Sequence, residues 1–499
     1  MTLAKRTLKG IGWYGSAHIF NKGVDFVSTL VLARLLLPAD FGVVGIVVSF
    51  ATIFQMITEL GMSTAIVQSN DIDETDLSTA FWMNLLVSTP LFFLVWLASP
   101  WVASFYQAPL LAPLLSLYAL TIPLAALASV QRAVLVREIY FRKVSVIESL
   151  ATIGRGVVSV SLALLGWGVW SLVWGYLTAR ILMTLALWFS SRWKPSLQIS
   201  RQSLKKLFGF GFWVLSTRLT YSLGQQVDVL VAGRLLSSSG LGLYTYGLKL
   251  ANLLPQELNQ IVSSVLLPAM SKVQTEMGKI RQAYSQALQA LSSVNVPLMA
   301  GMALTAPTWV PLVLGDRWLE LTPVFQILCV VGLMNGIGGS LSVTVLQALG
   351  KVRGTFWLAL FQVVVVIPLV YLGSRWGAIG VAACLASFYI IYRLVYQIQI
   401  NRLIGMSFGQ YLQIIQPSFT ASLPMIVLVL VVQRLLASTP VPAWLSLGVQ
   451  VITGVAVYFL SLFLLAREQL AALLRHFEAY PLLQPYAKWL VEVLVTPSR

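Results

Sequence analysis

The sequence predicts an all-α integral membrane protein of about fourteen transmembrane helices, built as two related six-helix lobes plus two C-terminal helices. Three observations carry that expectation. The first is composition: of 499 residues, 58% are hydrophobic and 10% charged, and the mean hydropathy is +0.83. A water-soluble chain carries about 25% charged residues, so this one lacks the polar surface to face water. The second is a series of apolar runs, each near the roughly 20 residues that cross a bilayer core. The third is an internal repeat at an offset of 200 residues.

Fourteen runs qualify as spans: 11–36, 41–67, 78–99, 110–136, 144–165, 168–190, 207–235, 241–270, 284–312, 321–349, 355–374, 377–400, 411–436 and 442–466. Lys5, Arg6 and Lys9 lead into the first of them without a small-residue cleavage site. That start reads as a first transmembrane helix and not as a removable signal peptide. The tail, 467–499, mixes Arg, Glu and His with Leu, Trp and Tyr, the pattern of an amphipathic helix lying on the membrane surface.

Orientation follows from Lys and Arg, which accumulate on the cytoplasmic side. With a cytoplasmic N-terminus, 21 of the 33 fall in inner loops, five (Arg34, Arg234, Arg317, Arg375, Arg434) outside, and seven within spans. Both termini are therefore expected in the cytoplasm. The net charge of +16 is explained by this topology without invoking nucleic acid. One inner loop, NDIDETD at 70–76, is acidic, but acidic residues weigh little in the rule.

The repeat is read by shifting the chain 200 residues. Trp13 meets Trp213; Leu30, Val31, Arg34, Leu35, Leu36 and Gly42 meet Leu230, Val231, Arg234, Leu235, Leu236 and Gly242; Ala51 meets Ala251. Each copy opens a set of six spans. An even number returns the chain to the same side, so the halves are expected to be related by a pseudo-two-fold axis along the membrane normal. The resulting organisation is an N-terminal lobe (1–190), a basic cytoplasmic linker (191–206), a second lobe (207–400), two extra helices (401–466) and the tail (467–499).

Candidate functional residues come from charge inside the spans, where it is costly and tends to face a cavity. There are seven cations and five carboxylates: Lys22, Asp25, Glu59, Arg132, Glu148, Arg155, Arg180, Arg218, Asp228, Lys249, Glu257 and Arg393. Lys22 and Asp25, three apart, are placed to pair; Glu148 and Arg155 share a face, as do Lys249 and Glu257. Arg132, Glu148 and Arg393 sit near the cytoplasmic ends of their spans, where snorkelling to the surface is enough to account for them. Arg155, Arg180 and Arg218 are expected to bind an anionic substrate, because guanidinium grips phosphate and carboxylate through paired donors; Lys22 and Lys249 join them as substrate-binding candidates. Asp25, Glu59, Asp228 and Glu257 are the candidates for proton or sodium coupling, against the alternative that they pair structurally.

Other features point elsewhere. Cys329 and Cys384 lie in apolar runs and His18 and His476 far apart, so neither a disulfide framework, a metal site nor a bound cofactor is expected. NGIGGS at 335–340 sits inside a span with no strand before it, which favours a flexible or closely packed helix over a phosphate loop. Prolines at 90, 297 and 368 are expected to kink helices. No large outer loop is present to hold sugar chemistry, which argues against an enzyme such as a polysaccharide polymerase or ligase. A cation-coupled multidrug antiporter is the nearer alternative; it would favour a carboxylate-rich cavity over the basic excess seen here.

Several stretches carry a family resemblance across about residues 10–400: LARLLLPADFGVVGI (32–46), TELGMSTAIVQ (58–68), TAFWMN (79–84), VLVREIYFRK (134–143), GWGVWSLVWG (166–175), DVLVAGRLLSSSGLGLYTYG (228–247), LLPAMSKVQ (266–274) and VLGDRW (313–318). Together they resemble the polysaccharide and O-antigen flippases (Wzx-like exporters, colanic and teichuronic acid branch) of the multidrug/oligosaccharidyl-lipid/polysaccharide superfamily. The resemblance implies a multidrug-transporter-like fold in a bacterial inner membrane. It implies movement of undecaprenyl-diphosphate-linked oligosaccharide from the cytoplasmic to the periplasmic leaflet, with a polysaccharide polymerase and a chain-length regulator as candidate partners. It supplies no universal site residue, so the candidates above rest on charge placement.

Overall fold

A computed structural model describes residues 3–59, 62–69 and 71–465, the side chains of 3–12, 14, 59, 64, 68, 205–218, 221, 340 and 352–355 excepted. The described residues form helices and contain no strand. In order they are α1 (Leu3–Leu35), α2 (Pro38–Glu59), α3 (Met62–Gln68), α4 (Glu74–Phe105), α5 (Leu111–Ala119), α6 (Thr121–Arg137), α7 (Phe141–Leu164), α8 (Val169–Ser190), α9 (Arg201–Leu235) and α10 (Ser238–Ser271). There follow α11 (Met277–Trp309), α12 (Leu321–Met334), α13 (Ser340–Ala348), α14 (Val352–Gly373), α15 (Gly377–Ile404), α16 (Phe408–Ala437) and α17 (Ala443–Leu465). The expected amphipathic tail lies outside the described residues.

Ten helical runs among the described residues are long and apolar enough to cross a membrane. One of them, Phe356–Ile404, is two helices, because a single 3-10 turn at Ser374–Trp376 and a left-handed Gly377 (φ +68°) reverse the chain between α14 and α15. Three more helices, α1, α9 and α10, are 33, 35 and 34 residues long. At 1.5 Å per residue each reaches about 50 Å, well beyond a hydrocarbon core of about 30 Å. These three carry charged and amide side chains in mid-helix, which lowers their apolarity. The fourteen expected spans thus coincide with helical runs of crossing length, two of them made of two shorter helices in succession.

The repeat reappears in the helix boundaries. α1 ends at Leu35 and α2 begins at Pro38; α9 ends at Leu235 and α10 begins at Ser238. The register then drifts, with α8 starting at Val169 and its counterpart α15 at Gly377. Two expected spans are interrupted: 110–136 bends at Leu120 between α5 and α6, and 321–349 contains a π-turn, Asn335–Gly339, between α12 and α13. Pro90, Pro297 and Pro368 all fall inside helices.

The chain divides into two compact units. One runs to Gly242 and includes Ala359–Ile367; the other starts at Leu243 and takes the remainder. In the first, α7 packs on both α1 and α8, α4 on α5 and α6, and α2 on α9. Met62, Ile66, Phe81, Val130 and Val134 form a buried cluster under α3, α4 and α6. Phe81 also meets Trp82, Trp188 and Trp193 edge-on at 5.3, 5.9 and 6.2 Å. The segment after α8 is strapped to the start of α4. Ser196 bonds Ser78 at 2.9 Å and accepts from Trp82 Nε1 at 2.8 Å, and the Ser200 N–H donates to Thr79 at 3.0 Å. The acidic loop has a local cause: Asp73 and Asp76 form a capping box at the start of α4, where negative charge also complements the helix dipole.

In the second unit α11 is central, packing on α12, α16 and α17. Ile280, Tyr284, Leu288, Leu341, Val345, Ile400 and Ile404 fill one buried cluster. Ala421, Met425, Tyr458 and Leu462 fill another, pinned where the Tyr458 hydroxyl donates to the Ser293 carbonyl at 2.7 Å. Cys329 and Cys384 are both free thiols.

Candidate functional site

In the first unit, small residues let three helices approach closely and so decide where charge is placed. Gly156 of α7 lies on α1, where a Cβ would come 2.5 Å from Ser28 Oγ; Gly175 of α8 lies on α7, where a Cβ would come 3.1 Å from the Arg155 carbonyl oxygen. The chemistry sits one residue from each glycine. Arg155 pairs with Asp25 across the α7–α1 contact. Its guanidinium also lies over the Tyr176 ring, 5.1 Å from the centroid. Tyr176 packs on Tyr118 with centroids 5.6 Å apart.

Arg180, one turn beyond Tyr176 on α8, donates to Gln55 Oε1 of α2 at 3.0 Å. Gln55 in turn donates to Thr121 Oγ1 at 3.2 Å, and Thr121 to the Tyr118 carbonyl at 2.7 Å. Tyr118 lies in electrostatic contact with both guanidinium groups. Arg155 and Arg180 therefore belong to one polar cluster drawn from α1, α2, α5, α6, α7 and α8. Among the described side chains it holds the Arg155 and Arg180 guanidinium groups and the Asp25 carboxylate. The Arg155 and Asp25 side chains remain 25% and 35% exposed, so the pair is reachable. Asp25 engages one terminal nitrogen of Arg155, and a guanidinium has five N–H donors. The arrangement suits a phosphate or carboxylate that competes with Asp25.

The other expected residues are more scattered. Lys22 is half-buried on α1, one turn before Asp25. Asp228 is buried on α9 and accepts from the Val229 N–H at 2.8 Å. Lys249 is exposed and Glu257 half-buried on α10, in the second unit. The side chains of Glu59 and Arg218 lie outside the described residues. The expectation for Glu148 needs correction: it pairs with Arg132 at 2.8 Å across α6 and α7, while Arg155 turns to Asp25. Seven residues along one helix span two turns, about 10 Å, so a residue on the adjoining helix is the nearer partner.

The second unit holds a polar hub that charge counting misses. The NGIGG run forms the π-turn, and polar side chains from other helices fasten it. Asn335 Nδ2 donates to Asn252 Oδ1 at 2.8 Å, and Asn259 Nδ2 donates to the Asn335 carbonyl at 3.0 Å. Asn295 Nδ2 donates to the Gly336 carbonyl at 3.3 Å. Arg393 of α15 donates to Asn335 Oδ1 at 2.8 Å. Nearby, Gln397 accepts from the Tyr284 hydroxyl and donates to Asn401, each at 2.8 Å. A π-turn disturbs the ladder of backbone bonds, and inside a membrane the carbonyls it frees need protein donors. The signal in the sequence is asparagine within apolar runs. Among the described residues no group of three His, Cys, Asp or Glu side chains could hold a metal ion.

The profile of a family described as polysaccharide biosynthesis protein matches residues 31–323. Among individual relatives, the chain is 28% identical over 431 residues to the lipopolysaccharide biosynthesis protein WzxC of Escherichia coli K12, covering 86% of this chain and 87% of that protein. It is 27% identical to the succinoglycan biosynthesis transport protein ExoT of Rhizobium meliloti, covering 75% and 76% of the two chains. Among solved structures, the lipid II flippase MurJ in an inward closed conformation superposes with a TM-score of 0.73 at 17% identity, over 92% of this chain and 99% of that one. At that identity the match shows a shared fold.

Proposed function

This chain belongs to the polysaccharide biosynthesis protein family, and from that premise we propose that it is a flippase for lipid-linked oligosaccharide. It carries undecaprenyl-diphosphate-linked repeat units from the cytoplasmic to the periplasmic leaflet of a bacterial inner membrane by alternating access. Translocation makes and breaks no covalent bond, so the chain acts as a transporter and not as an enzyme. Support comes from the flippase fold shared with MurJ and from relatives named for polysaccharide biosynthesis and transport.

The observation that carries the reading is the Arg155–Arg180 cluster. Two guanidinium groups on adjoining helices, steered by Asp25, Tyr176 and Gln55, offer an anionic headgroup a polar berth within membrane-spanning helices. Asp25 keeps Arg155 in place in the empty protein and gives way when the diphosphate arrives. The released carboxylate can then take a proton or sodium ion, which couples the cycle to a gradient. Glu59, Asp228 and Glu257 are further coupling candidates. Lys22, Lys249 and Arg218 are second-rank substrate contacts. Both termini lie in the cytoplasm in this reading, so a polymerase and chain-length regulator receive the product on the opposite face.

The test uses a strain lacking the chain and sealed vesicles of defined orientation. A membrane-impermeant glycosidase or lectin reports which face holds the undecaprenyl-linked unit. Build-up on the cytoplasmic face, relieved by restoring the chain, is expected. Units that reach the periplasmic face and stay unpolymerised would instead mean an assembly role, and no build-up at all would favour a small-molecule antiporter.

A further inference from the structure

Arg393 sits in the body of α15. It lies eleven residues before the end of α15 at Ile404, a rise of about 16 Å, and its side chain turns to the π-turn, where one terminal nitrogen donates to Asn335 Oδ1. The glycine run makes the approach feasible: a Cβ on Gly339 would sit 2.9 Å from the guanidinium carbon. Tyr392 and Tyr389 flank the cation at 5.5 and 6.0 Å, and Phe388 stacks on Tyr392 at 5.3 Å.

Its electrostatic position is unlike that of the paired arginines. Arg132 has Glu148 and Arg155 has Asp25. Among the described residues no carboxylate pairs with Arg393, and its Nε is buried with no hydrogen-bond partner. A guanidinium deep in a membrane helix is costly unless something compensates it. The two tyrosine faces attract the cation through their ring quadrupoles, and a neutral amide supplies one more bond. Neither neutralises the charge. The half-buried group is accessible, and an anion would complete it.

We propose that Arg393, held by Asn335 over the Gly339 backbone and flanked by Tyr389 and Tyr392, is an anion-binding residue for a phosphate or diphosphate group. It is a berth for such a group contained within the second unit. The identity of the carrier, a polyprenyl lipid, rests on the transport reading; the anion site itself does not.

The test uses the full-length protein in nanodiscs of neutral lipid, with undecaprenyl diphosphate, undecaprenol and inorganic diphosphate as probes. Affinities are compared for wild type, R393K and R393Q. A hydrogen bond to a charged group contributes about 1.5–3 kcal/mol, so R393Q is expected to bind undecaprenyl diphosphate tenfold to a hundredfold more weakly, with undecaprenol binding unchanged and R393K intermediate. Inorganic diphosphate showing the same dependence means that the headgroup alone is read; dependence with the lipid form only means that the chain must deliver it. Each supports the site. The wild type provides a measurement that needs no variant to fold: dicarbonyl modification of Arg393, followed by mass spectrometry, is expected to be blocked by the bound diphosphate. Unchanged affinity in a folded R393Q, or no protection of Arg393 by either diphosphate, overturns the proposal. If inorganic diphosphate protects Arg393 while export proves independent of the chain, the transport reading falls and the anion site stands.

Discussion

Gly42 and Gly242 pack backbone to backbone. A Cβ on Gly42 would strike the Ser238 carbonyl oxygen and lie 2.9 Å from the Gly242 nitrogen; a Cβ on Gly242 would strike the Pro38 carbonyl oxygen. Pro38 and Ser238 stand at the same 200-residue offset as the two glycines, so the contact is reciprocal, as a two-fold axis requires. The turn between α1 and α2 and the turn between α9 and α10 thus cross at the point where the sequence repeats.

Alanine at either glycine must displace rigid backbone, which costs more than the 1–3 kcal/mol typical of overpacking by a methyl group. G42A and G242A are each expected to lower the melting temperature in detergent by several degrees or to abolish folded protein. Because both clashes push the same two turns apart, the double variant should cost less than the sum of the singles. Strict additivity would mean that the two glycines do not share one contact.

Arg155 is expected to need its geometry as well as its charge. R155K keeps the cation but loses the planar fork and the stacking on Tyr176. Vesicle translocation should fall at least tenfold while the melting temperature changes little, since the pair with Asp25 is partly exposed and contributes about 1 kcal/mol. D25N should also impair transport, through a mispositioned Arg155 and a lost coupling carboxylate. Wild-type rates in R155K at normal expression would remove Arg155 from the substrate path.

Gln55 is a positioning residue for Arg180. Q55L removes the acceptor at 3.0 Å and leaves Thr121 without its donor. Transport is expected to drop at least about tenfold, in line with about 1.5–3 kcal/mol for one lost bond to a charged group. Q55E, which keeps the acceptor, should retain most of the activity in the same assay. Equal loss in both variants would point to general damage in α2 and not to positioning.

Much of this architecture was legible because it depends on one-dimensional quantities. Run length and apolarity mark the spans, and the offset of 200 returns in the ends of α1 and α9 and the starts of α2 and α10. Partnerships were less legible because they depend on how neighbouring helices are rotated. Glu148 and Arg155 share a helix but take Arg132 and Asp25 from other helices. Gln55 and Arg180 are 125 residues apart, and nothing local joins them. The neutral hub around Asn335 escaped because uncharged amides leave no trace in a charge count.

The acidic loop before α4 yields a prediction that separates topology from stability. Asp73 Oδ1 accepts from the Asp76 N–H at 2.7 Å, and the Asp73 N–H donates to Asp76 Oδ2 at 3.4 Å. Removing an N-cap of this kind costs about 1 kcal/mol. Loss of the favourable charge at the helix start adds a few tenths, given its exposure and screening by salt. D73A is therefore expected to lower the melting temperature by a few degrees. D73S, a substitution that keeps a capping oxygen without the charge, should recover most of that loss. Neither change adds or removes a Lys or Arg, so the orientation of the spans should stay fixed. Cysteine-labelling from the two sides of the membrane reads that out directly. A flipped loop in D73A would show that these carboxylates help set topology, and would require a second cause for the acidic patch beyond helix capping.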